Sequence, residues 1–203
     1  NPKGVLIEHK SVVNSTYSRF KIYKKINSGL LISSYAFDSS VALIYSILLC
    51  GSKLVLCEAD EIDTSSLVKL IKSNNVNFTL CTPSLFSVLN KEHVFDTLDY
   101  IILAGEKCEN GHVSHNLSRK EKNKLINEYG PSESTVWCSF FRIQNLNKKI
   151  PVGKPIGNTQ IYLLNEFNSL VPYGGLGEIC IGGAGLARGY LNNPELTNKK
   201  FIE

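Results

Sequence analysis

Short apolar runs alternate with segments of helical period along the first two-thirds of the chain. The runs that predict strands are residues 30–34, 53–57, 76–81, 100–103 and 124–128. Helices are predicted over 40–49, 65–72 and 84–89, with Asp63 or Thr64 as the cap of the second. This alternation is typical of βα units around a parallel sheet. We therefore expect an α/β fold with a mostly parallel sheet and flanking helices.

The pattern changes after residue 148. Pro and Gly punctuate the chain up to Gly157, and strand-like runs follow at 160–164 and 178–181, separated by Pro-Tyr-Gly-Gly. We expect antiparallel β structure here. The boundary divides an α/β subdomain at 1–148 from a β-rich subdomain at 149–203, each of them partial.

Composition narrows the class of protein. Of 203 residues, 43% are hydrophobic and 20% are charged, as in soluble globular proteins. The net charge of +4 is spread along the chain. Its densest basic group, Arg19, Lys21, Lys24 and Lys25, has no aromatic-basic motif beside it, so we interpret it as a solvated helix face and expect no nucleic-acid partner. No apolar run approaches a bilayer span, so we expect a cytoplasmic protein without a membrane partner.

Cysteine, histidine and terminal residues carry further expectations. The six cysteines contain no Cys-x-x-Cys pair, so we expect reduced core thiols. Cys108, His112 and His115 lie in what we interpret as a polar loop, and we assign no zinc site to them. The chain contains no Met and opens on Asn-Pro-Lys-Gly, so we expect it to be a piece of a longer protein.

Polar residues follow the predicted strands where each strand ends. These stretches are Phe37-Asp38, residues 82–84, Gly105-Glu106 and residues 127–133. Since ligands bind outside the carboxyl ends of parallel strands, we expect the four loops to converge on one site. The last stretch offers an amide, an aromatic ring, a Gly-Pro turn, a hydroxyl and a carboxylate, which suit a purine, a phosphate and Mg²⁺. From composition alone, an ordinary turn is the simpler interpretation.

Four motifs in order along the chain resemble the adenylate-forming (AMP-forming) ligase superfamily. Asn-x-Tyr-Gly-Pro-Ser-Glu at 127–133 matches its core motif. Residues 1–5 resemble the end of its phosphate loop, residues 35–40 its Phe-Asp-x-Ser element, and residues 177–191 its element ending in Ala-Arg-Gly-Tyr-Leu. The chain most resembles the amino-acid-activating domains of nonribosomal peptide synthetases. The resemblance implies part of a large N-terminal domain whose β portion is a distorted barrel.

The resemblance implies a nucleotide site. Tyr129 would stack on adenine, Asn127 would bond its exocyclic amine, and Ser132 would touch the phosphate. Glu133 would hold Mg²⁺ bound with ATP. The full set of residues implied to bind the nucleotide is Lys3, Gly105, Glu106, Asn127, Tyr129 and Ser132.

The resemblance also implies an amino-acid site. In amino-acid-activating members the Asp of Phe-Asp-x-Ser pairs with the α-ammonium group, and here it is Asp38, which is also well placed to cap the following helix. The positions that match the side-chain pocket are Asp38, Ser39, Ala42, Leu80, Ile102, Ala104, Glu128, Val136 and Trp137. Most are apolar, so we expect a neutral, hydrophobic or aromatic substrate side chain. Glu128 is the exception, because it suits a phenol, an amide or a cation.

The implied activity is ATP-dependent formation of an aminoacyl-adenylate. The amino acid then passes to a phosphopantetheine thiol on a carrier domain, in a synthetase that also has condensation domains. The family's C-terminal catalytic Lys is not in this sequence, so no catalytic residue is assigned and we expect these 203 residues alone not to turn over. One alternative is an acyl- or aryl-CoA ligase, which Asp38 disfavours. Another is a non-catalytic scaffold domain, which the intact site residues disfavour.

Overall fold

A seven-stranded sheet forms the centre of the computed structural model, which describes residues 3–23, 25–57, 63–118, 124–145 and 149–202. Its strands are β1 (Ser28–Leu31), β2 (Lys53–Leu56), β3 (Phe78–Cys81), β4 (Tyr100–Leu103), β5 (Lys124–Tyr129), β6 (Ser139–Ile143) and β7 (Lys154–Pro155). The spatial order is β2-β1-β3-β4-β5-β6-β7. Pairings among β1 to β5 are parallel, whereas β6 and β7 are antiparallel to their neighbours. The predicted mostly parallel sheet is therefore confirmed.

Helices flank the sheet on both faces. They are α1 (His9–Ile22), α2 (Ser39–Leu48), α3 (Thr64–Ser73), α4 (Pro83–Leu89), α5 (Asn110–Ser118) and α6 (Pro194–Lys200). The three predicted helices correspond to α2, α3 and α4 within one residue at either end. Asp63 is the cap of α3, since its carboxylate accepts from the backbone N–H groups of Ser65 and Ser66 at 2.8 and 3.0 Å. Within the described ranges, no helix has the length and apolarity needed to cross a bilayer.

The sheet separates two apolar layers, and the alternation along β4 shows how. Ile101 and Leu103 join the layer that contains Leu67 of α3 and Phe86 of α4. Tyr100 and Ile102 point the other way, into the layer that α2 covers. Successive strand residues face opposite sides, so a strand buried on both faces is apolar throughout. This double burial explains why the strands appeared as continuous apolar runs in the sequence.

A second sheet lies after the first. It pairs β8 (Thr159–Leu164) with β9 (Glu178–Gly183) antiparallel, as predicted. The chain then returns to its own beginning, where the N–H of Leu6 donates to the carbonyl of Gly189 at 2.9 Å. The N–H of Ala187 donates to the carbonyl of Glu133 at 2.9 Å. These bonds bring the last predicted motif beside the first and third.

Two local expectations are wrong. Cys81, Cys108 and Cys138 are buried, but Cys50 is exposed in the turn after α2, so not every thiol belongs to the core. The segment interpreted as a polar loop is helix α5, in which Val113 packs fully buried. Val113 and Leu117, one turn apart, are the apolar residues of this helix that pack on the core, and two such residues give only a weak helical period in the sequence.

Candidate functional site

Hydrogen bonds join the predicted loops in pairs at the carboxyl edge of the sheet. The hydroxyl of Ser84, after β3, donates to Glu106, after β4, at 2.5 Å. This bond lowers the pKa of the Glu106 carboxyl below its ordinary value. The hydroxyl of Ser132, after β5, donates to the carboxylate of Asp38 at the start of α2. Because β3, β4 and β5 are neighbours, all four loops meet at one edge.

The end of β5 presents an amide and a ring. Asn127 is buried, and its Nδ2 donates to the carbonyl of Pro151 at 2.9 Å. This bond fixes the amide and leaves Oδ1 as its acceptor, which suits an exocyclic amine. Tyr129 is half-buried, and burial raises the pKa of its phenol, so it is neutral at pH 7. A neutral, partly exposed ring suits stacking on a purine.

The turn after Tyr129 requires glycine. A Cβ on Gly130 would lie 2.3 Å from the Cα of Trp137, so the two backbone segments cross in direct contact. Val136 has φ 77°, a conformation that a β-branched residue rarely adopts. Such strain clusters at functional sites. The tight crossing turns the Ser132 side chain outwards, where it is exposed.

Tyr190 contacts two residues that suit phosphate and metal binding, Lys3 and Glu133. Its hydroxyl donates to Glu133, and Lys3 Nζ lies 5.7 Å from the centre of its ring. The hydrogen bond to the Glu133 carboxylate raises the pKa of Tyr190 to about 12. Among the described residues no cluster of three or more His, Cys, Asp or Glu is placed to hold a metal ion. One carboxylate fits Mg²⁺, which binds proteins through one or two carboxylates and takes phosphate oxygens as further ligands.

Asp38 occupies the N-cap position of α2, but its side chain makes no capping hydrogen bond. The carboxylate is exposed and is held by Ser132 instead. Of the two roles open to Asp38 from the sequence, helix capping is therefore not observed. An anion remains at the mouth of the site.

Six of the nine predicted side-chain pocket positions pack in the apolar layer that α2 covers: Ala42, Leu80, Ile102, Ala104, Val136 and Trp137. Five of the nine positions are almost inaccessible: Ala42 (4% exposed), Leu80 (3%), Ile102 (0%), Glu128 (3%) and Trp137 (1%). Ser39, Ala104 and Val136 are partly exposed. The floor of the site is therefore closed, and only its rim is open.

Glu128 belongs to a buried cluster that the sequence did not predict. Arg19 Nη2 lies 2.5 Å from Glu128 Oε2, and the hydroxyl of Tyr23 donates to Oε1 at 2.5 Å. The Arg19 guanidinium also lies 4.1 Å from the centre of the Trp137 ring. We call Arg19, Tyr23, Glu128 and Trp137 the Arg19 cluster.

The expectation that Arg19 lies on a solvated helix face is wrong, because its side chain is 1% exposed. Its partner Glu128 is 109 residues away in the sequence. No local signal marks such a pairing. Tyr190 was also not predicted as a site residue. Its position inside the motif at residues 177–191 was the signal that could have indicated it.

Comparisons with known proteins identify relatives that match nearly the whole chain. The chain is 40% identical over 210 residues to gramicidin S synthase 2 of Aneurinibacillus migulanus, covering 99% of this chain and 5% of that protein. It is 36% identical over 211 residues to surfactin synthase subunit 3 of Bacillus subtilis (strain 168), covering 100% of this chain and 16% of that protein. The chain thus spans a small part of these relatives.

Solved structures share the fold. The N-terminal subdomain of NpsA from Klebsiella oxytoca, in complex with 3-hydroxybenzoyl-AMSN, has a TM-score of 0.89 and 27% identity, covering all of this chain and 51% of that one. The nonribosomal peptide synthetase FmoA3 has a TM-score of 0.91 and 26% identity, covering 99% and 23%. The model of the AMP-binding enzymes matches residues 1–191. With that match across nearly the whole chain, the chain belongs to the AMP-binding enzyme family.

Proposed function

We propose that this chain forms the amino-acid and nucleotide site of an adenylation domain in a nonribosomal peptide synthetase. The hydrogen bond between Ser132 and Asp38 carries the proposal. The Ser132 hydroxyl suits a phosphate oxygen, and the Asp38 carboxylate suits an ammonium group. Their hydrogen bond holds the two side chains together close to Tyr129 in the sequence. An acid that bears an α-amine and the α-phosphate of ATP would therefore meet at this point.

The reaction follows from that arrangement. Asp38 pairs with the substrate ammonium, and Ser132 donates to a phosphate oxygen. A carboxylate oxygen of the amino acid attacks the α-phosphorus of ATP, the bond to the oxygen that bridges to the β-phosphorus breaks, and pyrophosphate leaves with that electron pair. Asn127 and Tyr129 hold the adenine. Positioning of this kind contributes much of the acceleration in such reactions.

Glu133 would hold Mg²⁺, with its carboxylate oriented by the hydroxyl of Tyr190. When bound, the ion supplies neutralisation of phosphate charge. Lys3, near the ring of Tyr190, adds a cation on the same side. Lys3 and Tyr190, from opposite ends of the chain, thus lie on the side of the site that would face the phosphates.

The adenylate then reacts with the phosphopantetheine thiol of a carrier domain. That thiol would supply the nucleophile that takes up the acyl group, with AMP as the other product. Two solved relatives support such a partner by their names: NpsA-ThdA is a fused adenylation–PCP di-domain, and PA1221 contains adenylation and PCP domains. Condensation domains in the same synthetase and a cytoplasmic location complete the proposal. The apolar lining of the site favours a substrate with a neutral, hydrophobic side chain.

Pyrophosphate exchange into ATP tests the proposal on the full-length protein. Each amino acid of a panel is compared with the matched carboxylic acid that lacks the amine. We expect exchange only with amine-bearing substrates and its loss in Asp38→Ala. Asp96→Ala, which changes a carboxylate at the opposite edge of the sheet before β4, is the matched control. An equal response to the deaminated acids would instead indicate an acyl-CoA ligase.

A further inference from the structure

The Arg19 cluster is buried and includes Glu128 and Trp137, two of the predicted side-chain pocket positions. Both oxygens of Glu128 accept bonds, one from Arg19 and one from Tyr23. Arg19 Nη1 also donates to the Ser15 hydroxyl at 3.2 Å. The ion pair with Glu128, the hydrogen bond to Ser15 and the contact with the Trp137 ring thus hold the guanidinium from several sides. A buried charge network with its groups satisfied in this way is rigid.

The network has an electrostatic consequence for the substrate. A cationic side chain entering the site would find Glu128 already neutralised by Arg19. To bind there it would have to break a buried ion pair and leave a guanidinium without a counter-ion, which is strongly unfavourable. Glu128 therefore does not select a cation, although its match to a side-chain pocket position left that role open.

The cluster also has a steric consequence. The Trp137 indole is fixed by a bond from Nε1 to the carbonyl of Ser15 at 3.3 Å and by stacking on Tyr23, with ring centres 6.2 Å apart. Trp137 and Glu128 are each at most 3% exposed. Ala104 and Val136 are partly exposed and pack against the apolar layer that contains Trp137. A substrate side chain that enters this layer would have to displace residues within it, and close-packed interiors resist such displacement.

We propose that Arg19 is a specificity-determining residue, which neutralises Glu128 and fixes Trp137 so that the site accepts amino acids with small, uncharged side chains. The inference rests on the proposed function and narrows its substrate class. Arg19 acts through its neighbours in the cluster and does not touch the substrate.

The first test is pyrophosphate exchange by the full-length protein with glycine, alanine, serine, leucine, phenylalanine, ornithine and glutamate. We expect the highest kcat/KM among the first three, at least about tenfold above phenylalanine and ornithine. Equal or better exchange with phenylalanine, ornithine or glutamate would overturn the role of Arg19 and leave the proposed function intact. No exchange with any amino acid would overturn both.

Paired variants test the mechanism. Arg19→Ala with Glu128→Ala removes both charges and opens space, so the kcat/KM ratio of leucine to alanine should rise at least about tenfold. Arg19→Met with Glu128→Leu removes the charges but keeps most of the volume, so the ratio should stay low. Arg142→Met, at an exposed arginine on β6, is the control and should not change it.

A merely structural role would lower kcat/KM for all amino acids alike and leave the ratio unmoved. An unchanged ratio in the alanine pair, with folding verified by its thermal melt, would therefore overturn the proposal. If the alanine pair does not fold, the substrate panel of the unaltered protein still decides, because a preference for a large or charged side chain contradicts it.

Discussion

Removing one charge of the Arg19–Glu128 pair should destabilise the fold far more than removing both. Arg19→Met leaves the Glu128 carboxylate buried, and among the described residues the Tyr23 hydroxyl is its remaining partner. Breaking a buried pair from one side costs about 3–5 kcal/mol. Glu128→Leu should cost a similar amount, because it leaves the guanidinium of Arg19 without its counter-ion.

The double variant Arg19→Met with Glu128→Leu should be much more stable than the sum of the single losses. Replacing a buried pair by apolar residues of similar volume is often neutral or stabilising. The remaining loss is the acceptor for the Tyr23 hydroxyl, which costs about 1–3 kcal/mol when left unsatisfied. The single losses add to about 6–10 kcal/mol, so the coupling energy should be at least about 3 kcal/mol.

Urea unfolding at pH 7 measures these energies through the fluorescence of Trp137. It is the single tryptophan of the sequence and lies against Arg19, so its emission reports on the cluster itself. Arg142→Met, the exposed control, should change the unfolding free energy by less than about 0.5 kcal/mol. Single losses below about 1 kcal/mol that simply add in the double variant would refute the coupled buried pair.

Three further predictions concern the turn, the metal side and the thiols. Gly130→Ala should destabilise the fold by at least about 2 kcal/mol in urea unfolding, because its Cβ would meet the Trp137 backbone, whereas Gly111→Ala, with open space around it, should be neutral or stabilising. Tyr190→Phe removes the hydrogen bond that orients the Glu133 carboxylate, so pyrophosphate exchange should need a higher Mg²⁺ concentration in a titration. An unchanged Mg²⁺ requirement would contradict the role of Tyr190. The pKa of Tyr190 is raised to about 12 from 10.0, so its contribution to stability is complete below pH 10 and lost as the pH rises towards 12; this decline should shrink in Tyr190→Phe. Iodoacetamide labelling at pH 8, followed by mass spectrometry, should modify exposed Cys50 before the buried thiols, and the reverse order would contradict the packing. The buried thiols are Cys81, Cys108 and Cys138.

The secondary structure that depends on residues close together in the sequence could be predicted for this protein. Strands β1 to β5 and helices α2 to α4 follow from short-range periodicity, and the strand-end motifs give the edge where the site lies. Helix α1 escaped this reasoning, because its buried residues are largely polar, among them Ser11, Ser15 and Thr16. A helix that buries serine and arginine has no apolar stripe to detect.

By itself, the sequence determined the order of the strands along the chain, the edge of the sheet where the proposed site lies and the chemical groups available there. Only the tertiary structure decided which groups are free to act. Ser132 meets Asp38 across 94 residues, Tyr190 meets Glu133 across 57, and Arg19 meets Glu128 across 109. A charged side chain is buried only when a partner compensates it, and the sequence pattern around Arg19 contains no trace of a partner so distant. Folding therefore converts Glu128 from an apparent substrate contact into half of a neutral, buried pair.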